Sequence, residues 1–109
     1  MSPLSLTHRD TVAGPVLLVA GELDFVHAAE LRRRVERLVL HRGQCLVLDL
    51  SGLEFCDSTG ITALLAARQR TLAADAELVL AAVPSHLERI LTIVGLVRVF
   101  TLRATAEDE

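Results

Sequence analysis

Residues 45–61 read CLVLDLSGLEFCDSTGI, and the order of chemistry along this stretch decides the fold. Cys45 to Leu48 contains no polar residue, the composition of a strand covered on both faces of a sheet. Ser51 and Gly52 break the run, and Ser51 to Phe55 reads as a loop. Asp57-Ser58-Thr59-Gly60 then opens a helix expected from about Thr59 to Leu72. Asp57 or Ser58 can cap it, accepting a hydrogen bond from an N–H that has no partner inside the helix. Ile61, Leu64 and Leu65 supply its apolar face, and Arg68, Gln69 and Arg70 its wet end. A second apolar run, Leu78 to Ala82, follows. Strand, helix and strand in this order form a right-handed crossover between parallel strands.

The same pattern extends in both directions. Upstream, Val16 to Ala20 is another apolar run, ended by Gly21. Leu4 to His8 reads as an edge strand joined to it through a turn at Ala13, Gly14 and Pro15. Leu31, Val35, Leu38 and Val39 lie at helical spacing, and that helix is expected to stop at Gly43 as its C-cap. Downstream, Ser85 and Glu88 have the spacing of a capping box after Pro84. Leu87, Ile90, Leu91 and Val94 continue at helical spacing until Gly95. Val97 to Leu102 reads as the last strand. The expected order is therefore β-β-α-β-α-β-α-β, a mostly parallel sheet with one antiparallel arm. One domain is expected over residues 1–109, with a core at about 4–102 and a frayed acidic tail from about residue 103.

Composition narrows the function. Net charge is −3, and Arg32, Arg33 and Arg34, the densest basic run, would fan around a helix axis beside Glu30 and Glu36. That is a solvated helix face rather than a phosphate-tracking stripe, so direct nucleic-acid binding is not expected. Phe25, Phe55 and Phe100 are the only aromatics, too few for a base-stacking platform. No apolar run reaches membrane-spanning length, and the start of the chain resembles no signal peptide. The cytoplasm is the expected location.

Several catalytic readings can be set aside on pattern. A serine-hydrolase elbow needs G-x-S-x-G, but Cys56 stands where the first glycine belongs. No G-x-x-x-x-G-K-[ST] phosphate loop is present. His8, His27, His41 and His86 are scattered without metal-ligand spacing, and Cys45 and Cys56 make no zinc or redox motif. Cys45 reads as a small core residue. Cys56 precedes a helix start, a position that can lower a thiol pKa, although burial would make it inert. Neither enzymatic activity, metal nor cofactor is expected.

The chain resembles a known family, the STAS domains of anti-sigma factor antagonists. Gly21-Glu22-Leu23-Asp24 followed by Ala28, Glu30 and Leu31 is similar to that family's G-E-L-D…A-x-E-L signature. Val47-Leu48-Asp49-Leu50-Ser51, Phe55 and Asp57-Ser58-Thr59-Gly60-Ile61 resemble its V-x-D-L-S…F-x-D-S-[ST]-G-[IL] core, and Pro84, Leu87, Ile90, Leu91 and Gly95-Leu96 its closing helix. The resemblance implies a STAS fold, an α/β arrangement of four to five strands with helices mainly on one side. It also implies a partner switch. The unphosphorylated protein binds an anti-sigma factor with GHKL-type serine-kinase activity and so releases a sigma factor; phosphate on Ser58 turns binding off, and a serine phosphatase restores it. Asp24, Asp57, Ser58, Thr59 and Gly60 would face the partner, with the protein a monomer or weak dimer. The alternative is a non-catalytic accessory subunit of a lipid-transport ATPase complex or a stress-signalling assembly. The chain departs from the family pattern at His27, where relatives often carry a capping Thr, and at Ala74-Asp75-Ala76, where they often carry Gly-Gly.

Overall fold

The apolar run at Cys45–Asp49 forms the middle strand of a six-stranded sheet. The computed structural model describes residues 3–106. Its elements run β1 (Ser5–Thr11), β2 (Gly14–Leu23), α1 (Ala28–Arg37), β3 (Cys45–Asp49), β4 (Leu53–Cys56), α2 (Ser58–Ala73), β5 (Glu77–Ala81), α3 (Ser85–Ile93) and β6 (Thr101–Arg103). The sheet order is β1-β2-β3-β5-β6, and β4 pairs with β2. The β1–β2 hairpin is antiparallel and every other pairing is parallel.

Strict alternation along the strands divides the apolar residues between two faces. Leu17, Val19, Leu46, Leu48, Leu50, Leu78 and Leu80 enter the main core, together with Leu31 and Val35 of α1, Ile61 and Leu64 of α2, and Leu87 and Leu91 of α3. All three helices therefore cover one face. The intervening residues Val16, Val47, Val79 and Ala81 make a smaller cluster on the other face, where Ala106 lies against them. Val47 is 5% exposed and Leu48 fully buried, so the central strand is covered on both sides as its composition requires. The Arg103 guanidinium holds the chain there by donating to the carbonyls of Thr105 and Ala106.

Several boundaries differ from the reading of the sequence. The segment read as a loop from Ser51 to Phe55 contains β4, which makes six strands rather than four to five. Strand β2 is ten residues long and serves two neighbours. Its first half, Val16–Leu18, pairs with β3, and Glu22 and Leu23 pair with Phe55 and Cys56 of β4. Helix α1 ends at Arg37, well before Gly43. Leu38 is extended and buried, and its carbonyl accepts a 3.0 Å bond from the Arg70 side chain of α2. Gly43, at φ +84, forms a later turn whose N–H reaches the Asp75 carbonyl.

The Ser85–Glu88 capping box does not form. Ser85 is already helical, and the Pro84 carbonyl takes the N–H groups of Leu87 and Glu88. The other end of α3 matches expectation. Gly95 is left-handed at φ +80, Gly95 N–H bonds Thr92 and Leu96 N–H bonds Leu91, which is a Schellman closure. Residues 97–100 turn before the short β6, so the last strand begins later than the apolar run suggests. Residues 107–109 of the expected tail lie outside the described residues.

Leu48→Ala should destabilise the domain by about 2–5 kcal/mol, since it empties a fully enclosed site between β2, β5 and the helices. Urea denaturation of the two proteins checks this, and a loss below about 0.5 kcal/mol would be incompatible with a central β3.

Candidate functional site

Two chain segments meet where the ends of β2 and β4 deliver the β2–α1 loop and the first turn of α2. Pairing of Leu23 with Cys56 brings them side by side, and Asp57 N–H donates to the Leu23 carbonyl. Gly60 lets them close. A Cβ at that position would stand 2.3 Å from the Leu23 carbonyl oxygen and 2.7 Å from the Cys56 Sγ, contacts that only a glycine avoids. Gly60 is thus buried structural material in this arrangement, while its neighbours carry the exposed chemistry.

Asp57 is the N-cap of α2 and uses both carboxylate oxygens. Oδ1 accepts from Gly60 N–H at 3.0 Å and from the Thr59 hydroxyl at 2.6 Å. Oδ2 crosses to the other segment and accepts from Phe25 N–H at 3.1 Å. Partial burial alone would raise its pKa. The bonds from the Thr59 hydroxyl and from the N–H groups of Gly60, Phe25 and Thr59 outweigh this and hold the carboxyl below its usual range. Asp57 is therefore a charged acceptor at neutral pH and has no free proton to give.

Asp24 plays a parallel part in the β2–α1 loop. Its Oδ1 accepts from Val26 N–H and His27 N–H at 3.1 and 3.0 Å, and from His27 Nδ1 at 2.8 Å. Partial burial again acts upward, but the His27 side chain, the His27 and Val26 N–H groups and the His27 charge bring the carboxyl below its usual range. His27 makes no side-chain cap of its own at the start of α1. The Asp24 side chain instead closes the turn that precedes α1, and its backbone carbonyl takes the N–H of Ala28, the first residue of the helix.

Ser58 is the first residue of α2 and is exposed. Its hydroxyl sits at the helix N-terminus, where the peptide dipoles favour an added negative charge. Thr62, one turn on, is also exposed and returns its hydroxyl to the Ser58 carbonyl. Cys56 lies just behind, buried, its thiol pushed up to about 12 by burial and by the Asp57 charge. A thiol so placed stays protonated and unreactive at neutral pH. The structure thus brings Asp57, Ser58, Thr59 and Gly60 into one turn and joins them to the Asp24 loop through Phe25.

Phe25 and Val26, absent from the candidate residues chosen by sequence, project from this junction at 79% and 74% exposure. The signal that could have found them is two consecutive large apolar residues at a loop position directly after Asp24. Among the described residues no cluster of histidine, cysteine and carboxylate side chains could hold a metal ion. Nor is any helix among them long and apolar enough to cross a membrane.

The STAS domain family profile matches residues 4–109. RsfB of Mycobacterium tuberculosis, an anti-sigma-F factor antagonist, is 30% identical over 105 residues, spanning 96% of this chain and 85% of RsfB. The crystal structure of an anti-sigma factor antagonist from Mycobacterium paratuberculosis superposes with a TM-score of 0.77 at 27% identity, covering 94% of this chain and 87% of that one. SpoIIAA, an anti-sigma factor antagonist solved in its unphosphorylated form, shares the fold with a TM-score of 0.69 at 15% identity over 94% of this chain and 90% of its own.

Removing the shared carboxylate tests this geometry. Asp57→Ala should cost about 0.5–2 kcal/mol at pH 7, as loss of a helix N-cap does. The carboxyl pKa is lowered by folding, so its contribution is fully present above the unfolded value near pH 4 and is lost as pH falls through the folded value. Urea midpoints of wild type and variant should therefore converge below about pH 4. A difference that stays constant from pH 7 down to pH 2 would show that the carboxylate charge contributes nothing.

Proposed function

Because this chain belongs to the STAS domain family, we propose that it is an anti-sigma factor antagonist switched by phosphate on Ser58. In its unphosphorylated form it binds an anti-sigma factor of the GHKL serine-kinase class and so frees a sigma factor. The observation that carries the reading is an exposed serine in the first turn of α2, beside a carboxylate already committed to capping that turn. The protein is a substrate in this exchange and not the catalyst. The Ser58 Oγ attacks the γ-phosphorus of ATP bound to the kinase, the new O–P bond replaces the bond to ADP, and a base of the kinase takes the hydroxyl proton. A serine phosphatase returns the hydroxyl by hydrolysis. These reactions place the protein in the cytoplasm, where ATP and the sigma factor are.

The fold accommodates the phosphate because of where Ser58 sits. A phosphoserine carries about −1.5 to −2 charges at neutral pH. The α2 N-terminus offsets part of that charge, and Ser58 is at the surface, so no buried space has to open. The partner interface responds differently. Asp57 stands next to Ser58, and the Asp24 loop is bonded to Asp57 through Phe25, so the surface is acidic before modification. A partner surface fitted to a neutral hydroxyl would have to bury an unpaired dianion, which is strongly unfavourable. Asp24, Asp57, Ser58 and Thr59 form the face that meets the partner, and Gly60 sets the closeness of the two segments behind it.

The experiment is titration calorimetry against the cognate anti-sigma kinase. Ser58→Ala should bind as tightly as the unmodified protein and resist ATP treatment. Ser58→Glu and the phosphorylated wild type should bind at least about a hundredfold more weakly, with circular dichroism unchanged in all forms. Equal affinity of phosphorylated and unmodified protein would overturn the switch and favour an accessory-subunit role. Purified protein alone should show no turnover of ATP or of simple esters; sustained turnover abolished by Ser58→Ala would contradict its role as a binding module.

A further inference from the structure

We propose that Phe25 and Val26 are the apolar anchor by which the Ser58 kinase grips this protein, held in position by the carboxylate beside the phosphorylated residue. The inference rests on the function proposed above and names the surface that would give the complex its specificity. Both side chains project into solvent, yet their backbone does not behave as a free loop. Phe25 N–H is bonded to Asp57 Oδ2, Val26 N–H to Asp24 Oδ1, and the Asp24 carbonyl takes the N–H groups of His27 and Ala28. Two large apolar groups are thus displayed on a fixed turn, and their exposure is not relieved within the domain. An aromatic group presented rigidly loses little freedom on binding, which is the usual character of an interface hot spot.

The occupant follows from the position. A kinase that phosphorylates Ser58 must bring ATP to its Oγ, and a standard interface covers about 800 Å² on each partner, a patch of roughly 16 Å radius. The Phe25 backbone is one hydrogen bond from the residue adjacent to Ser58. A kinase footprint centred on Ser58 therefore includes Phe25 and Val26, and an apolar recess on the kinase would receive them. The same bond couples anchor and switch. A phosphate on Ser58 adds negative charge beside the Asp57 carboxylate that holds Phe25, so modification acts on the anchor as well as on the hydroxyl site.

The test places a photo-crosslinking phenylalanine analogue at Phe25 or, separately, at exposed Thr62 one turn after Ser58, in the full chain expressed in its own cell. Both positions should capture the same protein, and that protein, purified with Mg-ATP, should phosphorylate Ser58. Capture from Phe25 should disappear in Ser58→Glu. Phe25→Ala should weaken binding of the purified kinase by about tenfold or more, with an unchanged melting temperature because the side chain touches little of its own domain. Capture of the Ser58 kinase from Thr62 but not from Phe25, or an affinity unchanged by Phe25→Ala, would overturn the anchor and leave the phosphoswitch intact. Capture from Phe25 of a second copy of this chain in place of the kinase would likewise overturn the anchor alone, whereas failure of both positions to capture a Ser58 kinase would overturn the anchor together with the function on which it rests.

Discussion

One carboxylate joins the two segments on which the site depends. Asp57 Oδ1 closes the first turn of α2 and Oδ2 reaches across to Phe25 N–H, so the helix that presents Ser58 and the loop that presents Phe25 share a single charged acceptor. Neither segment could approach the other this closely without Gly60, whose missing Cβ leaves space for the Leu23 carbonyl and the Cys56 sulfur. The bonds also set the charge of the site, since they keep Asp57 ionised next to the exposed Ser58. A negative charge added at Ser58 would therefore be felt at a group that already organises both sides of the junction.

The sheet supplies the frame for that junction through an asymmetry in β2. Its first half is held between β1 and β3, and its last residues run past β3 to pair with β4. This overreach carries Asp24 out beside Asp57. With all three helices on one face and only the small Val16–Val47–Val79 cluster on the other, the core is built almost wholly from aliphatic side chains. The exposed aromatic at Phe25 stands out against that economy, because it is the most exposed of the three phenylalanines, at 79% against 48% for Phe55, while Phe100 is buried.

The fold was legible where periodicity was long and where glycine or apolar runs set clear limits. Cys45–Asp49 and Glu77–Ala81 are strands close to where their apolar runs lie, and α2 begins one residue before the expected Thr59. The family resemblance pointed to helices on one side, and the split between core clusters agrees with it. Boundaries governed by tertiary contacts were not legible. Strand β4 has only four residues with buried ends and an exposed centre, too short for a period to show. The end of α1 at Arg37 depends on the Arg70 side chain, which is 32 positions from the Leu38 carbonyl it bonds. Ser85 and Glu88 have capping-box spacing, but the chain enters α3 one residue earlier and Pro84 takes the cap position. At the site, the sequence pointed to Asp24, Asp57, Ser58, Thr59 and Gly60. The bond from Phe25 N–H to Asp57 could not be read from it, since a backbone donor carries no sequence signature.

The central claim is that Asp57 is an ionised bridge between the serine-bearing turn and the Phe25 loop. It is tested most directly by an NMR titration that follows the Asp57 carboxyl carbon and the Phe25 amide in the same sample. The two should titrate together, at a pH below the ordinary aspartate value of about 3.9, because protonating the carboxyl weakens the bond that the Phe25 N–H donates to it. An Asp57 carboxyl that titrates at or above that value, or a Phe25 amide that does not respond as it titrates, would contradict the account.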